Sequence, residues 1–205
     1  MYIKCCGIQS KEALETCDMY HADAIGFIHY PKSRRHVTLT QLAEMMTTAI
    51  SADRVAVLVN PTLSLIQDVL NTGIDVIQLH GDESVEYIKT IKQHINGIRL
   101  FKALPATEHI GQIIAAYKQC DIERFIIDTP SKQYGGTGQS FDWELLNQIH
   151  GDVDYLIAGG MTLNKIQTLN RKGYHNEGYD ISSGIETDGQ KDIQKIKTLL
   201  TTLKG

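Results

Sequence analysis

An alternation repeated about eight times constrains this chain more than any other feature. Short runs rich in β-branched and aromatic residues fall near residues 3–6, 24–28, 55–59, 76–79, 98–103, 125–127, 155–158 and 179–181. Segments with helical period lie between them. Leu39, Leu42, Ala43, Met46 and Ile50 define one apolar face; Tyr87, Ile88, Ile91 and Ile95 define another. Ile110, Ile113, Ile114 and Tyr117 repeat the theme, as do Ile193, Ile196, Leu199, Leu200 and Leu203. A 3.6 period alternating with short apolar runs predicts βα units around a parallel sheet. In 205 residues, eight units of roughly 25 residues fit, the number that closes a β/α barrel. The expected fold is therefore α/β, a single-domain eight-fold β/α (TIM) barrel over residues 1–205. An open doubly wound sheet would want a glycine fingerprint after the first strand, and Cys6-Gly7-Ile8 is not one.

Composition narrows the function. A net charge of −4 with no basic block argues against a nucleic-acid partner. No apolar run is long enough to span a bilayer, and the N-terminus lacks the layout of a signal peptide. A cytoplasmic protein with no membrane partner is expected, as a monomer or homodimer. Its four cysteines, Cys5, Cys6, Cys17 and Cys120, show no paired or metal-finger spacing and read as free thiols.

In a β/α barrel, chemistry gathers at the C-terminal ends of the strands, on inward-facing positions. Sorting by alternation puts Lys4 and Cys6 on one face of the first strand, with Ile3 and Cys5 on the other. Gln78 and His80 face inward on the fourth strand, Asp128 on the sixth, and Asp180 and Ser182 on the eighth. A strand-end cysteine is ordinarily only a small buried hydrophobe. The agreement of four strands makes Cys6, His80, Asp128 and Asp180 candidates for one cavity.

Two glycine-bearing segments follow the last strands: Gly159-Gly160 and Ser182-Ser183-Gly184. Loops in these positions often bind phosphate in this fold, because backbone N–H groups can approach an anion there. A third glycine-rich stretch, 134–139, reads as an active-site loop or lid. The basic segment around Arg34 and Arg35 follows the second strand, and a guanidinium fork suits a carboxylate or phosphate.

These motifs resemble those of the phosphoribosylanthranilate isomerases of tryptophan biosynthesis. The matching segments are Lys4-Cys5-Cys6-Gly7-Ile8, Ala22-Asp23-Ala24-Ile25-Gly26-Phe27, Tyr30-Pro31-Lys32-Ser33 and Gln78-Leu79-His80-Gly81. Gly135-Gly136-Thr137-Gly138, Phe141-Asp142-Trp143, Ala158-Gly159-Gly160 and Asp180-Ile181-Ser182-Ser183-Gly184 complete the set, in order along nearly the whole chain. The family usually has tyrosine after the arginine, where this chain has His36. It commonly has a bulkier apolar residue at the position of Cys5.

The resemblance implies an Amadori rearrangement of N-(5-phosphoribosyl)anthranilate, with a phosphorylated small molecule as the partner. It implies Cys6 as general base, Asp128 as general acid and Arg35 facing the anthranilate carboxylate. It also implies that Gly159, Gly160, Ser182, Ser183 and Gly184 hold the phosphate; His80 and Asp180, from their inward strand positions, are expected to bind substrate. Electron flow is internal to the substrate, so no cofactor or metal is expected. The chemistry asks for a partly desolvated Asp128 and for a Cys6 thiol whose pKa is lowered by Lys4. Three rivals remain open at this stage: a Schiff-base enzyme using Lys102, a non-catalytic phosphometabolite-binding barrel, and a metal site on Cys6 and His80.

Overall fold

In the computed structural model, which describes residues 1–130, 142–151, 153–174 and 176–205, eight parallel strands close into a ring in sequence order. They are β1 (Tyr2–Cys6), β2 (Ala24–Ile28), β3 (Asp53–Leu58), β4 (Val76–Leu79), β5 (Arg99–Pro105), β6 (Arg124–Asp128), β7 (Tyr155–Ile157) and β8 (Gly178–Ile181). The ring closes where β1 pairs with β8, with Lys4 beside Asp180. The expected barrel and its strand positions stand, with boundaries moved by one or two residues.

Among the described residues there are seven α-helices, six between successive barrel strands and the last after them: α1 (Lys11–Met19), α2 (Leu39–Met46), α3 (Leu63–Leu70), α4 (Val85–His94), α5 (Ile110–Tyr117), α6 (Leu163–Lys172) and α7 (Ile193–Lys204). Six of them start at a Ser, Thr or Asp whose side chain accepts a backbone N–H of the first turn: Ser10, Thr38, Thr62, Ser84, Thr162 and Asp192. Such caps satisfy donors that the helix itself cannot. Two details differ from the sequence pattern. The buried face of α2 runs through Leu42 and Met45, so Ala43 points to solvent. Between β6 and β7, the described residues form a 3-10 helix over Trp143–Gln148. Asp142 caps it through the Glu144 N–H, and the segment ends at extended Ile149.

Alternation along the strands divides the core in two. Ile3, Cys5, Ile77, Leu79, Phe125, Ile127, Tyr179 and Ile181 face outward and pack with the helices. Inside the ring lies a separate cluster of Ala24, Val55, Val76, Phe101, Ile126 and Leu156. This plug makes the barrel solid below the site. Emptying the place of a fully buried Phe101 by Phe101→Ala would cost about 3–5 kcal/mol. The N-terminal mouth is closed by a charged network in which Arg99 grips Asp53 at 2.7 and 2.8 Å and Arg124 grips Glu177. The C-terminal mouth is left for chemistry. The Gly-rich stretch 134–139 and Phe141 lie outside the described residues.

Candidate active site

The C-terminal mouth opens into a cleft floored by Ala158, Val57 and Ile28 and walled by polar groups from five strands or the loops that follow them. Cys6, Arg35, His80, Asp128 and Asp180 all line it. So do Gly159, Gly160, Ser182 and Ser183. Nine of the ten expected site residues thus share one cleft. Gly184 does not line it; a Cβ there would overlap the Met161 carbonyl oxygen, so its contribution is to let the loops after β7 and β8 approach each other.

Cys6 ends β1 beside Gly26 of β2. A Cβ on Gly26 would come within 2.7 Å of the Cys6 sulfur and 2.9 Å of Lys4 Nζ, so glycine makes the room both side chains occupy. One layer deeper, Lys4 is fully buried and donates to both oxygens of Asp180 at 3.0 Å. Lys4 does lower the Cys6 pKa, as expected, but the net shift is upward, which corrects the expectation of a lowered thiol. Complete burial raises it, Lys4 opposes this, and the Asp180 carboxylate adds to the rise; the result lies above the ordinary thiol value. The Lys4–Asp180 pair brings little net charge to the thiol, so desolvation dominates.

Asp128 ends β6 across the cleft, its side chain about one-fifth exposed at 21%. Its Oδ1 accepts the Thr129 N–H at 2.7 Å, and its Oδ2 lies 3.6 Å from His80 Nε2. The Gln78 amide nitrogen lies 3.1 Å from His80 Nδ1. With the amide donating there, the ring carries its proton on Nε2, toward Asp128. Gln78 Oε1 is buried without a hydrogen-bond partner among the described residues, and Gln78 lines the cleft. Alternation placed Gln78 on the inner face without marking it as a site residue, and the orphaned oxygen supplies that mark. Gly159 packs against the same corner. It holds a φ of 83°, and a Cβ would run into Thr129 Oγ1 and come within 3.0 Å of Asp128 Oδ1.

The two glycine segments meet where phosphate is bound in many such barrels, after β7 and β8, where the chain enters α6 and a 3-10 turn over Ser183–Ile185. Lys165 of α6 donates to the Gly160 carbonyl at 2.8 Å and steadies the first segment. Arg35 reaches the cleft while Arg34 stays outside it, with a side chain 63% exposed. Arg35 is held by Glu186, which accepts from its Nε at 2.6 Å and its Nη2 at 2.9 Å. Glu186 lies beyond the last barrel strand, where the βα pattern carries no signal for a site residue.

Lys102, the candidate for a Schiff base, faces away from this cleft. Its β5 neighbours Phe101 and Ala103 take the inner positions. Lys102 Nζ points outward and donates to the Gly81 and Ala103 carbonyls and to Glu83 at 2.8–3.0 Å. It ties the β4–α4 loop to the sheet and presents no amine to the barrel interior.

A ring of eight parallel strands with a thiol, a carboxylate, an arginine and two glycine loops at its C-terminal mouth is the arrangement of a β/α-barrel enzyme. The family described as N-(5'phosphoribosyl)anthranilate (PRA) isomerase matches residues 3–202. An N-(5'-phosphoribosyl)anthranilate isomerase of Staphylococcus haemolyticus is 47% identical over 209 residues, covering 100% of this chain and 99% of that protein. One from Staphylococcus aureus is 46% identical over 207 residues, covering 100% and 98%. The crystal structure of phosphoribosyl anthranilate isomerase from Thermotoga maritima superposes with a TM-score of 0.85 at 28% identity, covering 100% of this chain and 99% of that one. Another structure of such an isomerase, in complex with reduced 1-(o-carboxyphenylamino)-1-deoxyribulose 5-phosphate, gives 0.81 at 26% identity, covering 100% and 99%. The chain belongs to the N-(5'-phosphoribosyl)anthranilate isomerase family.

Proposed function

We propose that this isomerase converts N-(5'-phosphoribosyl)anthranilate to 1-(2-carboxyphenylamino)-1-deoxyribulose 5-phosphate in tryptophan biosynthesis, with Asp128 as general acid and Cys6 as general base. The observation that carries the roles is that the thiol and the carboxylate come from strands far apart in the sheet and face one cleft, with two glycine loops and a guanidinium around them.

Asp128, protonated, gives its proton to the furanose ring oxygen as the C1–O bond breaks. The nitrogen lone pair forms the C1=N iminium. Cys6, as thiolate, then takes the C2 proton; the C–H electrons form C1=C2 and the C=N pair returns to nitrogen. The enolamine so formed becomes the ketone when C1 gains a proton and the C2 hydroxyl loses one. A thiol of raised pKa suits the second step. A thiolate of higher pKa is the stronger base, and the cationic iminium acidifies the C2 proton that it removes. Arg35 receives the anthranilate carboxylate. Gly159, Gly160, Ser182 and Ser183 receive the phosphate, Gln78 Oε1 and Asp180 accept sugar hydroxyls, and His80 lies against the acid.

The test follows the fluorescence of phosphoribosylanthranilate with the purified protein. The wild type is expected to consume it, and Cys6→Ala to lose turnover while still binding a reduced product analogue. Near-normal turnover by Cys6→Ala would remove the thiol from the reaction. A wild type that binds the analogue tightly but never turns over would be a binding protein.

A further inference from the structure

Beyond β8 the chain departs from the βα repeat and forms a short antiparallel hairpin, β9 (Glu186–Thr187) and β10 (Gln190–Lys191). Lys191 stands opposite Glu186 in it. Both side chains are 5% exposed, unusual for charged groups on a two-residue strand, and neither lines the cleft. Lys191 Nζ donates to Glu186 Oε1 at 2.7 Å and to the Ser182 carbonyl at 2.9 Å, and lies 3.3 Å from Ser182 Oγ. The same Glu186 carboxylate takes two bonds from Arg35. One buried anion is thus shared by two buried cations. Burial works to raise the Glu186 pKa, but the bonds from Arg35 and Lys191 outweigh it and hold the carboxylate below its ordinary value; burial also pulls the Lys191 pKa below its own ordinary value, against the pull of Glu186.

Two orientations follow from this sharing. Arg35 uses two of its five N–H donors on Glu186, which fixes the plane of the guanidinium and leaves three donors for a ligand. Ser182 Oγ, facing an ammonium, is the acceptor of that contact, so its own hydrogen is left for another acceptor. An anion in the cleft is the acceptor that arrangement suits. With Lys191 as its ammonium, the trio carries one net positive charge, two cations against one carboxylate, behind the groups that would meet the substrate's negative ends.

We propose that Glu186 and Lys191 are positioning residues, a hairpin-borne ion pair that orients Arg35 toward the substrate carboxylate and Ser182 toward the phosphate. This rests on the reading of Arg35 and Ser182 as anion-binding groups. The pair serves ground-state binding of both charged ends, so its loss is read in KM.

The experiment measures kcat and KM for phosphoribosylanthranilate, and competitive inhibition by inorganic phosphate, in folded variants. Lys191→Met is expected to raise KM and the phosphate inhibition constant about tenfold each, with kcat changed much less. Glu186→Gln is expected to raise KM while leaving phosphate inhibition within about twofold, because it acts through Arg35. Lys191→Arg, which keeps charge and donors, restores KM to within about threefold. The Ser182→Ala/Lys191→Met double variant is expected to be no worse than the more damaged single, since both act on one hydroxyl. If Lys191→Met does not fold, Lys191→Gln carries the same expectations. KM and phosphate inhibition both within twofold of wild type in a folded Lys191 variant would overturn the proposal, as would full additivity with Ser182→Ala. Arg35→Ala and Ser182→Ala as singles separate the two layers. If neither raises KM, the anion-binding reading fails; if both do while the hairpin variants do not, only the positioning role fails.

Discussion

Lys4 and Asp180 stand 176 residues apart in the chain and meet inside the barrel, with the ammonium 3.0 Å from each carboxylate oxygen. They are register partners on the β1–β8 seam, the pairing that closes the ring. Removing one member leaves a buried, unpaired charge. Lys4→Met is expected to destabilise the protein by about 3–5 kcal/mol, read as a lower urea midpoint. Lys4→Met/Asp180→Asn is expected to regain more than half of that loss. A double variant as unstable as the single would mean that shape, not charge, holds the seam.

The same pair sets the pH dependence of the proposed base. Burial raises the Cys6 pKa, Lys4 lowers it and Asp180 raises it. The thiolate is the working form, so kcat/KM is expected to climb with pH through a limb on the alkaline side of the ordinary thiol value. Asp180→Asn removes a raising influence and should move that limb to lower pH; Lys4→Met removes a lowering one and should move it higher. A limb that ignores both substitutions would belong to another group.

Asp128 sits across the cleft with one oxygen tied to the Thr129 N–H and the other facing His80. Asp128→Asn keeps the shape and removes the transferable proton. Turnover is expected to fall by roughly 10²–10⁴-fold, with KM changed by only a few-fold. A result dominated by KM would make Asp128 a binding residue.

Neighbouring arginines should behave differently. Arg35 is buried in the cleft wall, whereas Arg34 is exposed and only 3.4 Å from a Glu186 oxygen at its nearer end. Arg35→Ala is expected to raise KM at least tenfold with a smaller loss in kcat, and Arg34→Ala to change either by less than about twofold. Equal effects would mean that the exposed arginine swings into the cleft when substrate is bound.

Much of the fold was legible because alternation is a local property. Ile77 and Leu79 against Gln78 and His80, or Ile127 against Asp128, declare which face is wet without reference to the rest of the chain. The helix pattern was less exact. Met45, not Ala43 or Met46, completes the buried face of α2, because a run with apolar residues at several neighbouring positions fits more than one helical rotation. The site was readable to the extent that its residues end strands. Glu186 and Lys191 were not, since they follow the last strand and the partner that gives them meaning, Arg35, is 151 residues from Glu186. The Lys102 alternative was settled by facing alone: strand ends deliver side chains to both surfaces, and this one belongs to the outer.

From its sequence by itself, this protein has its eight strands, the inward positions of Cys6, Asp128 and Asp180, and the glycine loops after β7 and β8, because two-residue and 3.6-residue periods act between near neighbours. Only the tertiary structure decided that burial and Asp180 would outweigh the pull of Lys4 on Cys6, and that a terminal hairpin would place Lys191 and Glu186 behind Arg35 and Ser182. Electrostatic influence depends on distance through space and on burial, and both exist only once the ring has closed.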